Sequence, residues 1–244
     1  TKKYNKLSKS INEKGLKNLI NNLNGLNIKK VIFVSTCSNY GLSKTKRKLN
    51  EKSKLNPVSI YARSKIKIEK FLINKKNKVD FSATILRFAT AFGLSPRMRF
   101  DLTVNEFTRD LYLKKNLKVY DKETSRPYCH VKDFARLINM ILKTKIKKTH
   151  FQIFNAGGNS NNFSKENIVK HLKKFFKKTN IEYVSGDKDK RNYVVDFTKV
   201  KRVIKFSPKY SLNYGINEII KNLKRKRFVN LNKYFDKLGN YKII

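Results

Sequence analysis

The chain has no tryptophan, two cysteines, four prolines and nine glycines in 244 residues, and 17 acidic residues against 58 lysines and arginines. Each shortage closes off a class of protein. Cys37 and Cys129 stand far apart, and together with three histidines they supply neither a disulfide framework nor the paired spacing of a zinc site. No metal is expected. No apolar run approaches the roughly 18–20 residues of a membrane helix, so no membrane partner is expected either. Lys2 and Lys3 lead into no apolar stretch of the signal-peptide kind, and a reducing cytoplasm is the expected compartment. Nowhere are the glycines spaced as in the turns that bring a dinucleotide pyrophosphate onto a helix N-terminus.

The shortage of acid leaves a net charge of +41. Lysine and arginine gain affinity for polyanions by releasing counterions from phosphates, so a polyanion-binding protein is one alternative. The basic residues are spread along the whole chain, however, with many asparagines and isoleucines and few alanines. Lys, Asn and Ile share A- and T-rich codons, and the bland reading is base composition acting on solvated positions. Nucleic acid is therefore disfavoured as a partner. The densest patches, 169–178 and 219–228, place apolar residues at helical spacing and read as core stripes with a charged outer face.

What is present begins with Tyr61 and Lys65. They stand four apart in a helical segment running from Ser59 to Leu72, which puts their Cβ atoms roughly 5–6 Å apart on one face. An ammonium there is expected to depress the phenol below its usual value of about 10 and to yield a base near neutral pH. Upstream, the apolar run Lys30–Val34 reads as a buried strand and delivers Ser35, Thr36, Cys37 and Ser38 to its C-terminal end, where open parallel sheets bind ligands. Helix 11–23, strand 31–34, helix 61–73 and strand 81–87 alternate as in a parallel, doubly wound α/β sheet. Beyond Gly93 the pattern predicts a loop over 95–100, helix 103–114, strand 117–120 and helix 131–142.

Order and spacing add more. Ser35-Thr-x-x-x-Tyr-Gly41, Asn56-Pro57 and Tyr61-x-x-Ser-Lys65 are followed by Leu86-Arg-Phe-Ala-Thr-Ala-Phe-Gly93, Arg126-Pro-Tyr-Cys-His-Val-Lys-Asp133, Phe154-Asn-Ala-Gly-Gly158 and Asp196-Phe-Thr-Lys199 with Phe206-x-Pro208. In these the chain resembles the extended short-chain dehydrogenase/reductase family, specifically its NAD-dependent nucleotide-sugar epimerases and dehydratases. Asn12-x-x-Gly15-x-x-Asn18 resembles the helix before that family's catalytic strand.

The resemblance implies a Rossmann-like doubly wound parallel sheet with a smaller α/β substrate lobe. Residues 1–93 and 126–157 would be the remainder of the NAD-binding domain, and 94–125 and 158–244 an interleaved substrate-binding lobe. The missing Gly-x-x-Gly-x-x-Gly turn and a first residue other than Met lead to the expectation of a fragment lacking its first βα units. A family-related binding protein without a cofactor half is the other alternative.

The resemblance also implies roles. Tyr61 would be the catalytic base, Thr36 would bond the same sugar oxygen, and Lys65 would hold the nicotinamide ribose while acidifying Tyr61. Tyr61, Lys65 and Ser35 would contact the cofactor, NAD with NADP as the alternative. Asn105, Arg126 and Arg191 would bind the diphosphate of a nucleotide-diphosphate sugar, with Tyr120 stacking on its base. Arg97 and Arg99 would offer further phosphate contacts. Family 4,6-dehydratases carry Asp-Glu after the catalytic Thr. Cys37 and Ser38 stand there, which disfavours dehydration and leaves an epimerase, a reductase or a decarboxylase. Thr90 replaces a frequent Asn, and Val184 a second Arg. A homodimer would use the helix of Tyr61 and its predecessor, both rich in lysine here.

Overall fold

In the computed structural model, residues 2–43, 47–186, 191–228 and 240–242 are described. Three apolar segments too short for helices form the central parallel sheet: β1 (Lys30–Thr36), β2 (Ser82–Phe88) and β7 (Gln152–Ala156), in the order β1-β2-β7. Register runs Phe33↔Ile85 and Thr36↔Phe88 on one side and Leu86↔Phe154 on the other. β2 is central, so both of its faces must be covered, and its continuous apolar reading follows from that. Phe33, Ala83 and Ile85 pack with Ile20, Ile68 and Leu72 from the helices on one face. Leu86, Phe154 and Ala156 pack on the other face with Phe134, Leu137, Val200 and Ile204. The layers are those of a doubly wound sheet.

The helices on the first face are α1 (Lys2–Lys9), α2 (Leu16–Asn22) and α3 (Ile60–Asn74). A π-helical segment, Ser10–Gly15, joins α1 to α2. The helix expected over 11–23 thus begins at Lys2. Its packed part is anchored by Leu16, Ile20 and Leu23, whereas the earlier turns carry Leu7 and Ile11 in solvent and gave no periodic signal. α3 starts where Ser59 accepts a bond from the Ala62 N–H at 3.1 Å, a cap that satisfies one of the orphan donors of a helix N-terminus.

The rest of the chain adds β3 (Thr90–Phe92), β4 (Arg97–Arg99), α4 (Thr103–Tyr112), β5 (Leu117–Tyr120), β6 (Ser125–His130) and α5 (Val131–Lys143). After β7 come β8 (Asn162–Ser164), α6 (Lys165–Leu172), β9 (Ile181–Val184), α7 (Thr198–Ile204), α8 (Leu212–Lys224) and β10 (Asn240–Lys242). β6 pairs with β3 in parallel and with β8 antiparallel, and β5 pairs with β9. A second core of Val104, Phe107 and Leu111 from α4, Ile168 and Leu172 from α6, and Ile216 from α8 holds this lobe.

β6 pairs with β3 and β8, and α7 packs on β7. One expectation changes here. The segment expected as a loop at 95–100 contains β4, because it finds a partner in β10 at the other end of the chain, and no local pattern reports such a pairing. The two basic helices are also displaced. α6 starts at a reciprocal Ser164–Asn167 capping box and ends at Leu172, and α8 starts at the Ser211 cap.

Candidate active site

The carboxyl edge of the sheet faces β4, α4 and β5 across a cleft of about 960 Å³. Strand β1 brings Thr36 to its wall, and α3 brings Tyr61. Arg126, Arg191 and Tyr120 line it as well, so these sequence-predicted residues share one space. Among the described residues no group of His, Cys, Asp and Glu could hold a metal, and no helix is long and apolar enough to cross a membrane.

Thr36 closes the turn that follows β1: its Oγ1 accepts from the Ser38 N–H at 3.1 Å. That bond uses an acceptor lone pair, and the hydroxyl proton remains a donor for the cleft. The turn ends at Gly41, whose φ of +61° is joined by a close approach, since a Cβ there would lie 1.7 Å from the Asn56 carbonyl oxygen. This contact sets the Asn56–Pro57 segment and hence the start of α3 and the height of Tyr61. Tyr40 beside it is buried, its hydroxyl donating to Asn155 Oδ1.

The Tyr61–Lys65 electrostatics differ from the expectation. Lys65 Nζ donates to the Val34 carbonyl at 2.8 Å and lies 4.8 Å from the Phe33 ring centroid and 5.6 Å from that of Tyr61. Partial burial pushes the Tyr61 phenol above its usual value, and the charge opposing that push is the Arg99 guanidinium. Lys65 is itself held below the usual lysine value by desolvation, against the pull of Glu69. The ammonium is committed to the strand carbonyl, and the depression expected from helical spacing alone does not arise.

Two candidates face elsewhere. The Ser35 hydroxyl donates to Glu69 Oε1, inside the protein, although the residue borders the cleft. Asn105 is buried, its Oδ1 accepting from the Gly93 N–H at 3.0 Å and its Nδ2 donating to the Arg99 carbonyl at 2.9 Å. It shapes the wall from behind. Arg97 is exposed on β4, and Arg99 lies at the Tyr61 end of the cleft, its fork closed on Asp101 through Nε–Oδ1 and Nη2–Oδ2. Arg126 and Arg191 do lie together: Arg126 Nε donates to the Arg191 carbonyl at 3.4 Å, and Arg191 Nη1 donates to Ser38 Oγ at 3.2 Å. Cys37 is buried, and its thiol is pushed up by desolvation, which fits an inert packing residue.

Several contacts went unnoticed in the sequence. Ser38 ties Arg191 to the carboxyl end of β1. Beneath it, Glu69 accepts from Asn39 Nδ2 at 2.8 Å and from Arg87 at 2.7 Å, and Tyr40 links Arg87 at 3.1 Å to Asn155 at 2.8 Å. Asn39 Oδ1 is buried without a partner among these groups. The signal for Glu69 was available, because it continues the Tyr61, Lys65 stripe by one more turn. Glu106 faces the cleft from α4, and its carboxyl is pushed up by burial and then by the neighbouring Asp110.

Against known proteins, a model of the NAD dependent epimerase/dehydratase family matches residues 3–157. A UDP-glucuronate 4-epimerase of Thermodesulfobacterium geofontis is 26% identical over 210 residues, covering 84% of this chain and 62% of that protein. The chain therefore spans about three fifths of that curated relative's length. Among solved structures, UDP-glucuronic acid 4-epimerase from Bacillus cereus, in complex with UDP-glucuronic acid and NAD, superposes with a TM-score of 0.79 at 23% identity, covering 89% of this chain and 68% of that one. UDP-glucose 4-epimerase from Thermotoga maritima, with UDP-glucose, gives 0.78 at 23% identity, covering 90% and 71%. These likenesses establish the fold.

Proposed function

This chain belongs to the NAD-dependent epimerase/dehydratase family, and on that premise we propose that it carries the catalytic and sugar-binding part of an enzyme that epimerises, or reduces, a nucleotide-diphosphate sugar through a keto-sugar. The observation that carries the reading is the meeting of Tyr61 and Thr36 with Arg126 and Arg191 in one cleft. A base, a hydroxyl donor and two guanidiniums in one cleft suit a substrate that carries both a reactive alcohol and a diphosphate.

The residues in hand fit the nicotinamide ribose of NAD. One of the three Lys65 donors is spent on Val34, and the others suit ribose hydroxyls at the carboxyl edge of the sheet. When bound, NAD would supply a reversible hydride acceptor. Tyr61 would take the proton from the sugar hydroxyl, with Thr36 donating to the same oxygen. Arg126 and Arg191, the latter steadied by Ser38, would hold the diphosphate so that the sugar stays against Tyr61.

The test is epimerisation by the complete protein in D2O. Transfer of hydrogen within the site predicts an epimer that keeps its original carbon-bound hydrogen. Deuterium at the inverted carbon would mean a carbanion route and would overturn the reading.

A pH prediction follows from the phenol. A base works only when deprotonated, and burial holds Tyr61 above its usual value while Arg99 pulls it down. Turnover is therefore expected to rise with pH from neutrality upward and to be lost as pH falls. Arg99→Gln removes the opposing cation and should move that rise up by about one unit, with about tenfold lower activity at neutral pH. An unmoved pH–rate profile would remove Arg99 from the mechanism.

A further inference from the structure

We infer that the sugar taken by this cleft carries no carboxylate, and that Asp101 is the residue that turns uronates away. The inference rests on the nucleotide-sugar reading above and narrows it. If Tyr61 marks the reacting end, the cation on the cleft wall that acts on it is Arg99, a guanidinium of the kind that binds carboxylates as a bidentate fork. That fork is already taken. Asp101 accepts from Arg99 Nε at 2.6 Å and from Nη2 at 2.5 Å, with both side chains roughly half exposed toward the cleft.

A sugar carboxylate would have to displace Asp101 or sit beside it, and like charges at such range are unfavourable. The wall that continues from Asp101 adds to the effect. The face of α4 turned to the cleft carries Thr103, Glu106, Phe107 and Asp110 at helical spacing, so two further carboxylates follow Asp101. The Glu106 carboxyl is pushed up by burial first, and then by Asp110 and Asp101, against the pull of Arg109 and Lys165, while Asp110 is itself paired with Arg109 at 2.5 Å. In a chain with 58 basic and 17 acidic residues, carboxylates gathered on this wall cannot be ascribed to composition.

Besides Arg99, the cations that line the cleft are Lys118, Arg126, Lys165 and Arg191, all outside α4, and Lys118 is paired with Glu182. Lys165 is engaged with the Tyr120 carbonyl at 2.7 Å, on the side proposed for the base. Cations for a diphosphate and a wall on which Asp101 and Asp110 already hold their own partners suit a sugar whose polar groups are hydroxyls, which donate to carboxylates. Two of the proteins this chain resembles act on or bind a uronate, by their names, so the inference separates this cleft from theirs.

The test is calorimetric titration of the complete, NAD-loaded protein with matched pairs differing only at the carboxylate: UDP-glucose against UDP-glucuronate, and GDP-mannose against GDP-mannuronate. Free UDP and GDP are titrated alongside. The neutral sugar is expected to bind about tenfold or more tighter than the uronate. Asp101→Asn should compress that ratio to within about threefold, and Glu106→Gln should compress it less. Equal or tighter uronate binding by the unaltered protein, or a ratio unchanged in Asp101→Asn, would overturn the inference while leaving the nucleotide-sugar reading intact. Absence of binding by both free nucleotides and all four sugars would instead remove the underlying reading, and this inference with it. Melting curves of the variants confirm that the ratio is read on folded protein.

Discussion

Tyr61→Phe is expected to lower kcat of the complete enzyme by about a thousandfold while changing stability by no more than about 0.5 kcal/mol. Both halves come from the same geometry. The Tyr61 ring sits over the start of α3 and is 45% exposed, and among the described residues no hydrogen bond holds its hydroxyl, so removing that oxygen strands no buried partner. The ring and its contact with Lys65 survive in phenylalanine. What is lost is the atom placed to take a proton, and Thr36, whose oxygen already accepts from Ser38, is a poor substitute because an aliphatic hydroxyl is far less acidic than a phenol. Product formation followed by NMR, with a thermal melt on the same sample, reads both quantities. Activity above about a tenth of wild type would sink the assignment of Tyr61 as base. A large fall in melting temperature would show instead that the hydroxyl is structural.

The parts of this arrangement that were legible in the sequence are those decided locally. β1, β2 and β7 are short apolar runs bounded by turn residues, and α3 announces itself by Pro57 and the Ser59 cap. Other parts were legible but went unread. Successive strand side chains point to opposite faces, and the structure turns the Ser35 hydroxyl to Glu69 and that of Thr36 to the turn at Ser38, though both residues border the cleft. On α4 the cleft face runs 103, 106, 107, 110, a helical series that excludes Asn105. Still other parts could not be read from any local window. The pairing of β4 with β10 joins segments more than a hundred residues apart. The commitment of Lys65 to the Val34 carbonyl depends on where a neighbouring strand ends, and helical spacing alone reports nothing of it. Burial thus raises the Tyr61 phenol, and the opposing cation is Arg99, a residue on another element, for which the resemblance had implied a phosphate contact.

The second large effect lies under the site. Glu69→Ala is expected to destabilise the protein by about 3–5 kcal/mol, because breaking one side of a buried ion pair leaves the other charge without compensation. Glu69 is 3% exposed and takes Nη2 of Arg87, likewise 3% exposed, at 2.7 Å, with Arg87 Nε also donating to it at 3.1 and 3.2 Å. It also takes the Ser35 hydroxyl and the Asn39 amide. In the variant, Arg87 would keep only Tyr40 and the Glu51 carbonyl, neither of them charged, while Ser35 and Asn39 would lose an acceptor, with Asn39 already holding one orphaned oxygen. Substituting Arg87→Met in the same chain removes the stranded cation, so the double variant should be less destabilised than Glu69→Ala alone. That sign is what a buried pair requires and what a simple loss of packing would not give. Denaturant titration of the two single variants and the double variant decides the matter. If the double variant loses the sum of the singles, the pair contributes nothing specific. The expected result would mean that the link from α3 through Glu69 to Ser35 and Arg87 is the tie that keeps Tyr61, on the helix, at a fixed height over Thr36, on the strand. Glu69→Gln, which preserves shape and loses charge, should then retain substrate binding better than turnover.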